Sequence, residues 1–236
     1  MALIFDIETI GVDFDRMDET SRKSLTRWIE KEAGDDEAQY NIMLKDLKAG
    51  LGFSPLTGEI VAIGVYNAER GNGVVYFQAP GKSMDEFTEG NFLFKPATEA
   101  VMLKEFWDGA KHYGEFVSFN GRSFDVPFLN IRSAVHQLRP TKDLMANRYL
   151  SSQWGGARHI DLLDQLSYYG AVRRKGSLHL YCQAFGIKSP KAEGISGDDV
   201  SRLFKDGKYK EIAVYNSWDL AATTELYRIW SDFLRM

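Results

Sequence analysis

The stretch FDIET, at positions 5–9, places two carboxylates inside an otherwise apolar segment, LIFDIETI. Side chains alternate between faces along a strand, so Asp6 and Glu8 would project from one face, roughly 6–7 Å apart. No lysine or arginine is adjacent to them in the sequence, and an unpaired buried carboxylate costs several kcal/mol. The stretch therefore indicates either a bound cation or an edge strand with a solvated acidic face.

A third carboxylate, Asp219, interrupts the apolar stripe of a predicted long C-terminal helix. Tyr215 comes four residues earlier, so its phenol can reach whatever Asp219 binds. The alternative is a helix rotated about its axis so that the edge of the stripe is exposed to solvent. The stripe repeats every three or four residues and consists of Ile212, Tyr215, Asp219, Ala222, Leu226, Ile229 and Phe233.

The segment FNGRSFDVPFL, at positions 119–129, supplies a fourth carboxylate. Asp125 comes just before a predicted helix start, where an ordinary capping role is the competing explanation. Asn120 fits a turn equally well. Phe124 and Phe128 fit the core equally well.

Hydrophobic periodicity predicts the elements that must position these residues. The pattern indicates a single domain, 1–236, with a mixed α/β sheet flanked by helices and a helical insertion at about 13–48. The predicted elements are a first strand at FDIET, a hairpin over 58–66 and 73–77, a short strand over 116–119, a strand or helix start at HIDL (159–162), and helices over 99–113, from Pro127, 177–185, 199–204 and 208–234.

Composition limits the class of protein. The net charge of -4 argues against broad nonspecific duplex binding, and RRKG at Arg173 to Gly176 is the one candidate basic cluster, which a solvated loop explains nearly as well. No apolar run approaches a membrane span and no secretory signal is visible. The single cysteine, Cys182, suits the cytoplasm and reads as a small buried hydrophobe.

Together, four carboxylates on three elements meet the oxygen-rich requirement of Mg²⁺ or Mn²⁺. FDIET, FNGRSFDVP and YNSWD resemble the three motifs of the DEDD superfamily of 3'-5' exonucleases. The tyrosine four residues before the last aspartate resembles the one that marks the DEDDy branch. FNGRSFDVPFL most resembles the proofreading domain of family B DNA polymerases. The resemblance extends from residue 3 to about residue 225, and 236 residues leave no room for palm or finger regions, which suggests a stand-alone relative.

This resemblance implies a ribonuclease H-like fold, with three antiparallel strands followed by parallel strands. It also implies two divalent cations, Mg²⁺ or Mn²⁺. Asp6, Glu8 and Asp219 would hold the cation that activates water. Asp6 and Asp125 would hold the second.

The remaining roles implied by the resemblance concern water and substrate. Tyr215 would orient the attacking water, and Asn120 and Phe124 would contact the terminal nucleotide. The expected activity is release of nucleoside 5'-monophosphates from the 3' end of single-stranded nucleic acid, with DNA favoured, by two-metal-ion phosphodiester hydrolysis. The related branch that uses histidine would need one at position 214, which is Val214.

Three rival functions stay open on the sequence. The first is a catalytically silent nucleic-acid-binding or protein-binding module on the same fold, against which the full set of acids argues. The second is an exoribonuclease. The third is an endonuclease or transposase of the ribonuclease H type, which rarely places Glu two residues after the first Asp of one strand. A metal-binding pair of His159 and Asp161 is less favoured than a structural one.

Overall fold

The computed structural model describes residues 1–190, 194 and 197–235 of the chain. Seven of the described strands form one sheet in the order β4-β5-β3-β2-β1-β6-β7. β1 pairs with β2, and β2 with β3, in antiparallel fashion, whereas β6 lies parallel to β1, and β7 to β6. This is the predicted mixed sheet. The strands are β1 (Ala2–Gly11), β2 (Gly58–Asn67), β3 (Asn72–Phe77), β4 (Phe87–Glu89), β5 (Phe92–Pro96), β6 (Glu115–Ser118) and β7 (Arg158–Asp161).

Eight α-helices accompany this sheet in the described part of the chain. Their ends follow local signals: Ser177 caps α6 by accepting from the Leu180 N–H, and Gly186 ends it with a left-handed φ of 70°. The helices are α1 (Glu19–Ala33), α2 (Glu37–Gly50), α3 (Glu99–Ala110), α4 (Asp125–Val135), α5 (Leu162–Leu166), α6 (Leu178–Phe185), α7 (Val200–Lys205) and α8 (Tyr209–Phe233).

β1 is buried on both faces and so sends alternate side chains into two cores. Leu3, Phe5 and Ile7 pack with α3 and α4. Ala2 and Ile4 face the other core, to which α8 contributes. Because side chains alternate, Asp6 and Glu8 project toward α8.

The predicted helical insertion contains α1 and α2, joined by a short turn at 34–36. Asp18 and Asp36 cap the two helices by accepting backbone hydrogen bonds from Ser21 and Gln39. The pair buries a small core of its own around Ile29 and Met43. An antiparallel helical hairpin therefore leaves the sheet directly after β1.

The short strands β4 and β5 were not predicted. β5 lies parallel to β3 and pairs with β4 around a tight turn that includes Gly90, whose φ is 59°. Each strand has five residues or fewer, too short to show alternation clearly. They widen the sheet at the edge far from Asp6. Among the described residues, none of the helices combines the length and the apolar character needed to cross a membrane.

Candidate active site

The predicted carboxylates converge where α8 crosses β1. Asp6, Glu8 and Asp219 each offer an oxygen that lies within 4.8 Å of those of the other two. Asp125 begins α4 and points back to β1, where its Oδ1 accepts the Ile7 N–H at 3.1 Å. Asp125 therefore does not cap its helix. Its charge also raises the pKa of Asp6 and of Glu8, so it lies near them, although it is not one of the three acids whose oxygens meet within 4.8 Å.

Burial and mutual repulsion raise the pKa of the clustered acids. Loss of solvation is the largest cause for both Asp6 and Glu8, and neighbouring carboxylates add to the rise. Burial likewise raises the pKa of Asp125 to about 7, while the Ile7 N–H partly opposes that rise. No basic side chain of the described residues is among the main causes of these shifts. The clustered carboxylates therefore place negative charges close together, and a bound cation would offset them.

Tyr215 lies one helical turn before Asp219 and donates a hydrogen bond to it. Its pKa is raised by burial first, and then by the charges of Asp219 and Glu8. The phenol therefore stays protonated at neutral pH. It can donate a hydrogen bond or orient a water molecule, but it cannot serve as a general base.

Asn216 was not predicted as a site residue, although it directly follows Tyr215. Its Nδ2 donates to Asp6 Oδ2 at 2.8 Å, and a hydrogen bond from Asn216 also offsets part of the pKa rise of Glu8. The side chain is fully buried, and its Oδ1 has no hydrogen-bond partner among the described residues. An asparagine inside a helix carries no distinctive sequence signal, which is why the sequence did not reveal it.

Gly64 makes this approach of α8 possible. It pairs directly with Asp6 across the β1–β2 ladder. A Cβ at this position would lie 2.0 Å from Asn216 Oδ1 and 2.5 Å from Leu220 Cδ1. Any side chain here would have to displace the side chains of Leu220 and of Asn216, whose amide bonds to Asp6.

A pocket of about 540 Å³ opens beside Glu8 and Tyr215. Phe124 lines it and meets Phe53 edge to face with ring centroids 6.5 Å apart, while contact of Phe124 with a nucleotide stays a prediction. Phe53 was not predicted, and it is 64% exposed. In the described part of the chain, Ala49 and Gly50 also line this pocket. The end of the helical hairpin therefore forms part of the pocket wall.

Contacts with the end of β1 fix the turn that carries Phe53. Thr9 donates its hydroxyl hydrogen to the Gly52 carbonyl at 2.7 Å. Gly11 and Gly52 pack backbone against backbone, since a Cβ on Gly11 would lie 2.7 Å from Leu51 Cβ. The first motif therefore positions both the acids and one wall of the pocket.

Asn120 adopts a left-handed turn with a φ of 64°, which asparagine tolerates better than most residues. Its backbone N–H, and that of Arg122, donate to the carboxylate of Asp161 at 2.9 and 3.0 Å. Asn120 is not among the described residues that line the 540 Å³ pocket. The backbone of Asn120 therefore forms the turn that the sequence indicated. Contact of Asn120 with a nucleotide stays a prediction.

His159 and Asp161 are structural residues here, as the sequence favoured. Buried His159 lies between the Ser118 hydroxyl, 2.8 Å from Nε2, and the Leu144 carbonyl, 3.0 Å from Nδ1. Burial lowers its pKa to about 4, so it is neutral. Asp161 is committed to backbone N–H groups and holds the Asn120 turn in place.

The donor set around Asp6 suits a hard divalent cation. Asp6, Glu8 and Asp219 supply carboxylate oxygen, the ligand that Mg²⁺ and Mn²⁺ prefer, and no thiolate or imidazole of the described residues joins this group. The raised pKa values indicate that the surrounding protein does not balance the negative charge of these carboxylates. The residues present therefore fit a metal centre.

A solved structure has the same fold. The family B DNA polymerase from the hyperthermophilic archaeon Pyrobaculum calidifontis matches with a TM-score of 0.59 and 18% identity. The match covers 99% of this chain and 25% of the polymerase chain. At that identity the likeness establishes a shared fold and nothing about activity. Comparison with curated protein sequences found no relative.

The sequence profile of one family matches residues 60–235 of this chain. That family is described as a predicted 3'-5' exonuclease related to the exonuclease domain of PolB. The matched region includes the second and third motifs, with Asp125, Tyr215 and Asp219. The chain therefore belongs to this family of predicted 3'-5' exonucleases related to the exonuclease domain of PolB.

Proposed function

We propose that the protein is a metal-dependent 3'-5' exonuclease that removes nucleoside 5'-monophosphates from single-stranded nucleic acid, with DNA favoured over RNA. The observation that carries this proposal is the meeting of Asp6, Glu8 and Asp219 within 4.8 Å beside an aromatic-lined pocket. A carboxylate cluster alone would only suggest cation binding. The adjoining pocket gives a base a place to bind next to it.

Two divalent cations, Mg²⁺ or Mn²⁺, complete this proposal. Asp6, Glu8 and Asp219 would hold one, and Asp6 and Asp125 the other. When bound, such cations lower the pKa of water and stabilise the attacking and leaving oxygens at phosphorus. Water adds to phosphorus, the bond to the 3' oxygen breaks, and the shortened strand keeps a 3' hydroxyl.

The chain's own residues position these groups. Asn216 holds the Asp6 carboxylate in one orientation, and the Ile7 N–H does the same for Asp125. Tyr215 remains a neutral phenol and orients the attacking water. Phe53 and Phe124, which meet edge to face with ring centroids 6.5 Å apart, form an aromatic wall on which the terminal base stacks.

A single strand suits the pocket better than a duplex end. Its aromatic wall can contact only an unpaired base, whereas a paired end would first have to be melted. Stacking on phenylalanine accepts any base and does not read the 2'-hydroxyl, so the preference for DNA rests on the family resemblance. We further propose that the whole chain acts as one exonuclease domain with a helical insertion, and that it functions in the cytoplasm.

A labelled-strand assay tests this function. The protein is incubated with 5'-labelled single strands of DNA and RNA in Mg²⁺, Mn²⁺ or EDTA. We expect a ladder of products shortened from the 3' end, with DNA cut faster and no cutting in EDTA. Shortening from the 5' end, or equal cutting in EDTA, would overturn the proposal.

A further inference from the structure

A second cleft, of about 480 Å³, lies between α6 and the C-terminal end of α8. Five aromatic side chains line it, and its only charged lining residues in the described chain are Arg158 and Arg235. No acid of the active site takes part in it. We call it the aromatic cleft; its rings are Tyr168, Tyr169, Tyr181, Phe185 and Trp230.

Two adjacent tyrosines at the rim of the cleft have strained backbones. Tyr168 and Tyr169 have φ values of 50° and 56°, in the left-handed region that non-glycine residues rarely occupy. The phenol of Tyr169 accepts hydrogen bonds from Leu150 N and Gln165 Nε2, which fix it. Tyr168 is 56% exposed. Such strain persists where the fold holds a side chain in a functional position, and here it presents a ring to solvent.

Positive charge surrounds these rings. Arg158 is exposed at the start of β7, while Arg235 lies over the Trp230 ring and pairs with Glu115. The basic loop RRKG begins three residues after Gly170 and ends at Gly176, which packs on the ring of Tyr181. One end of the basic cluster that stands out in the sequence therefore contacts a ring of the aromatic cleft.

The cleft is connected to the active site along two routes. Trp230 follows Asp219 on α8 by about 17 Å of helix, at 1.5 Å per residue. Phe119, the residue before Asn120, packs against Tyr181 with ring centroids 5.8 Å apart. At about 3.4 Å per nucleotide in a stacked strand, the separation corresponds to roughly five nucleotides.

We propose that the aromatic cleft binds bases of the single strand about five nucleotides from the 3' end held at the carboxylates. Aromatic rings beside arginines are the elements with which proteins hold single strands without reading sequence. The proposal rests on the proposed function for its substrate. It adds a second binding site, which makes affinity depend on strand length.

Fluorescence anisotropy in EDTA measures this site apart from catalysis. The probes are 5'-fluorescein oligothymidylates of three and twelve nucleotides. Tyr168→Ala should weaken binding of the twelve-nucleotide probe roughly five- to hundredfold, as expected for one lost base stack, and leave the three-nucleotide probe unchanged. Tyr168→Phe keeps the ring and should bind as the wild type does. Trp154→Ala removes a more exposed aromatic outside the cleft and is the matched control.

Two further readouts separate the possible failures. Arg158→Ala should reduce the slope of log affinity against log salt by about 0.7, the value for one phosphate contact on a single strand. Tyr168→Ala should cleave a trinucleotide at the wild-type rate in metal. Wild-type affinity of Tyr168→Ala for the long probe would overturn the cleft proposal, even if cleavage is normal. If Tyr168→Ala loses binding of the long probe but the wild type cleaves no strand, the exonuclease function is overturned and the cleft proposal is supported.

Discussion

Asn216 Nδ2 donates a hydrogen bond to Asp6 Oδ2 at 2.8 Å, directly above Gly64. Asp6 is the acid that the proposal assigns to both cations, so its orientation affects both. A residue that orients a metal ligand typically changes metal affinity by 10–100-fold when removed. The contact therefore leads to a prediction about binding of metal that does not depend on turnover.

Asn216→Ala should weaken Mn²⁺ binding by about 10- to 100-fold, measured by isothermal titration calorimetry. The neighbouring Ser217→Ala, whose hydroxyl bonds only to the Val214 carbonyl among the described residues, should bind Mn²⁺ like the wild type. A purely structural asparagine would lower the stability of both metal-free and loaded protein and leave the affinity unchanged.

The contribution of Asp125 to the stability of the metal-free protein, taken as the difference between the wild type and Asp125→Asn, should fall as pH rises from about 4 to 7. The folded pKa of Asp125 is about 7, above its ordinary value of 3.8, so the folded protein binds more protons in this window than the unfolded chain does. The stabilising proton is lost as pH rises through the folded pKa. Urea unfolding in EDTA at pH 5 and pH 8 measures the effect.

In the same experiment, Mg²⁺ or Mn²⁺ should restore stability at pH 8, because a cation bound to the native state offsets the charge. Asp125→Asn should lack this part of the pH dependence. A wild type that gains stability relative to Asp125→Asn between pH 5 and pH 8 in EDTA would contradict the buried-acid description.

Phe53→Ala and Phe124→Ala should each weaken strand binding by about 1–3 kcal/mol, the range for one base–aromatic stack. Both rings face the pocket beside Glu8. Leu56→Ala is the control, since Leu56 is 79% exposed, comes three residues after Phe53 and is not among the residues that line the pocket. An equal effect of all three substitutions on affinity would indicate a general surface effect. Base stacking on Phe53 and Phe124 would then be removed from the proposal.

Tyr215→Phe should lower kcat about 10- to 100-fold while KM changes little. It deletes one hydroxyl that bonds to a charged partner, an interaction worth about 1.5–3 kcal/mol, and water positioning acts on the transition state. Tyr209→Phe, on the same helix, removes a hydroxyl that donates to the Pro80 carbonyl and should leave kcat unchanged. Wild-type turnover by Tyr215→Phe would reduce that tyrosine to a core residue.

The sequence revealed those site residues that break a pattern. Asp6, Glu8 and Asp219 are charges within apolar periodicity, so both the strand and the helix that carry them were predicted. Their proximity in space follows from α8 crossing β1, which periodicity alone does not specify. The family resemblance, not the pattern, supplied the prediction that they lie together.

Residues that fit their local pattern were missed. Gly64 resembles any strand glycine, and its need appears only when α8 lies against it. Phe53 belongs to a short turn after the helical hairpin, where no periodicity operates. The aromatic cleft combines residues from 150 to 235, and only the tertiary structure brings them together.

The central claim is that Asp6 and its neighbours catalyse metal-dependent removal of the 3' nucleotide. The most direct test uses a 3'-labelled single strand and measures release of labelled nucleoside 5'-monophosphate in Mn²⁺ by the wild type, Asp6→Ala and the control Glu89→Ala, which removes an exposed acid from the distant β4. We predict rapid release by the wild type and the control and none by Asp6→Ala. Asp6→Ala should also be as stable as the wild type in EDTA, because it relieves repulsion. Undiminished release by a folded Asp6→Ala, or a loss of metal-free stability above about 2 kcal/mol, would contradict this assignment of the acids.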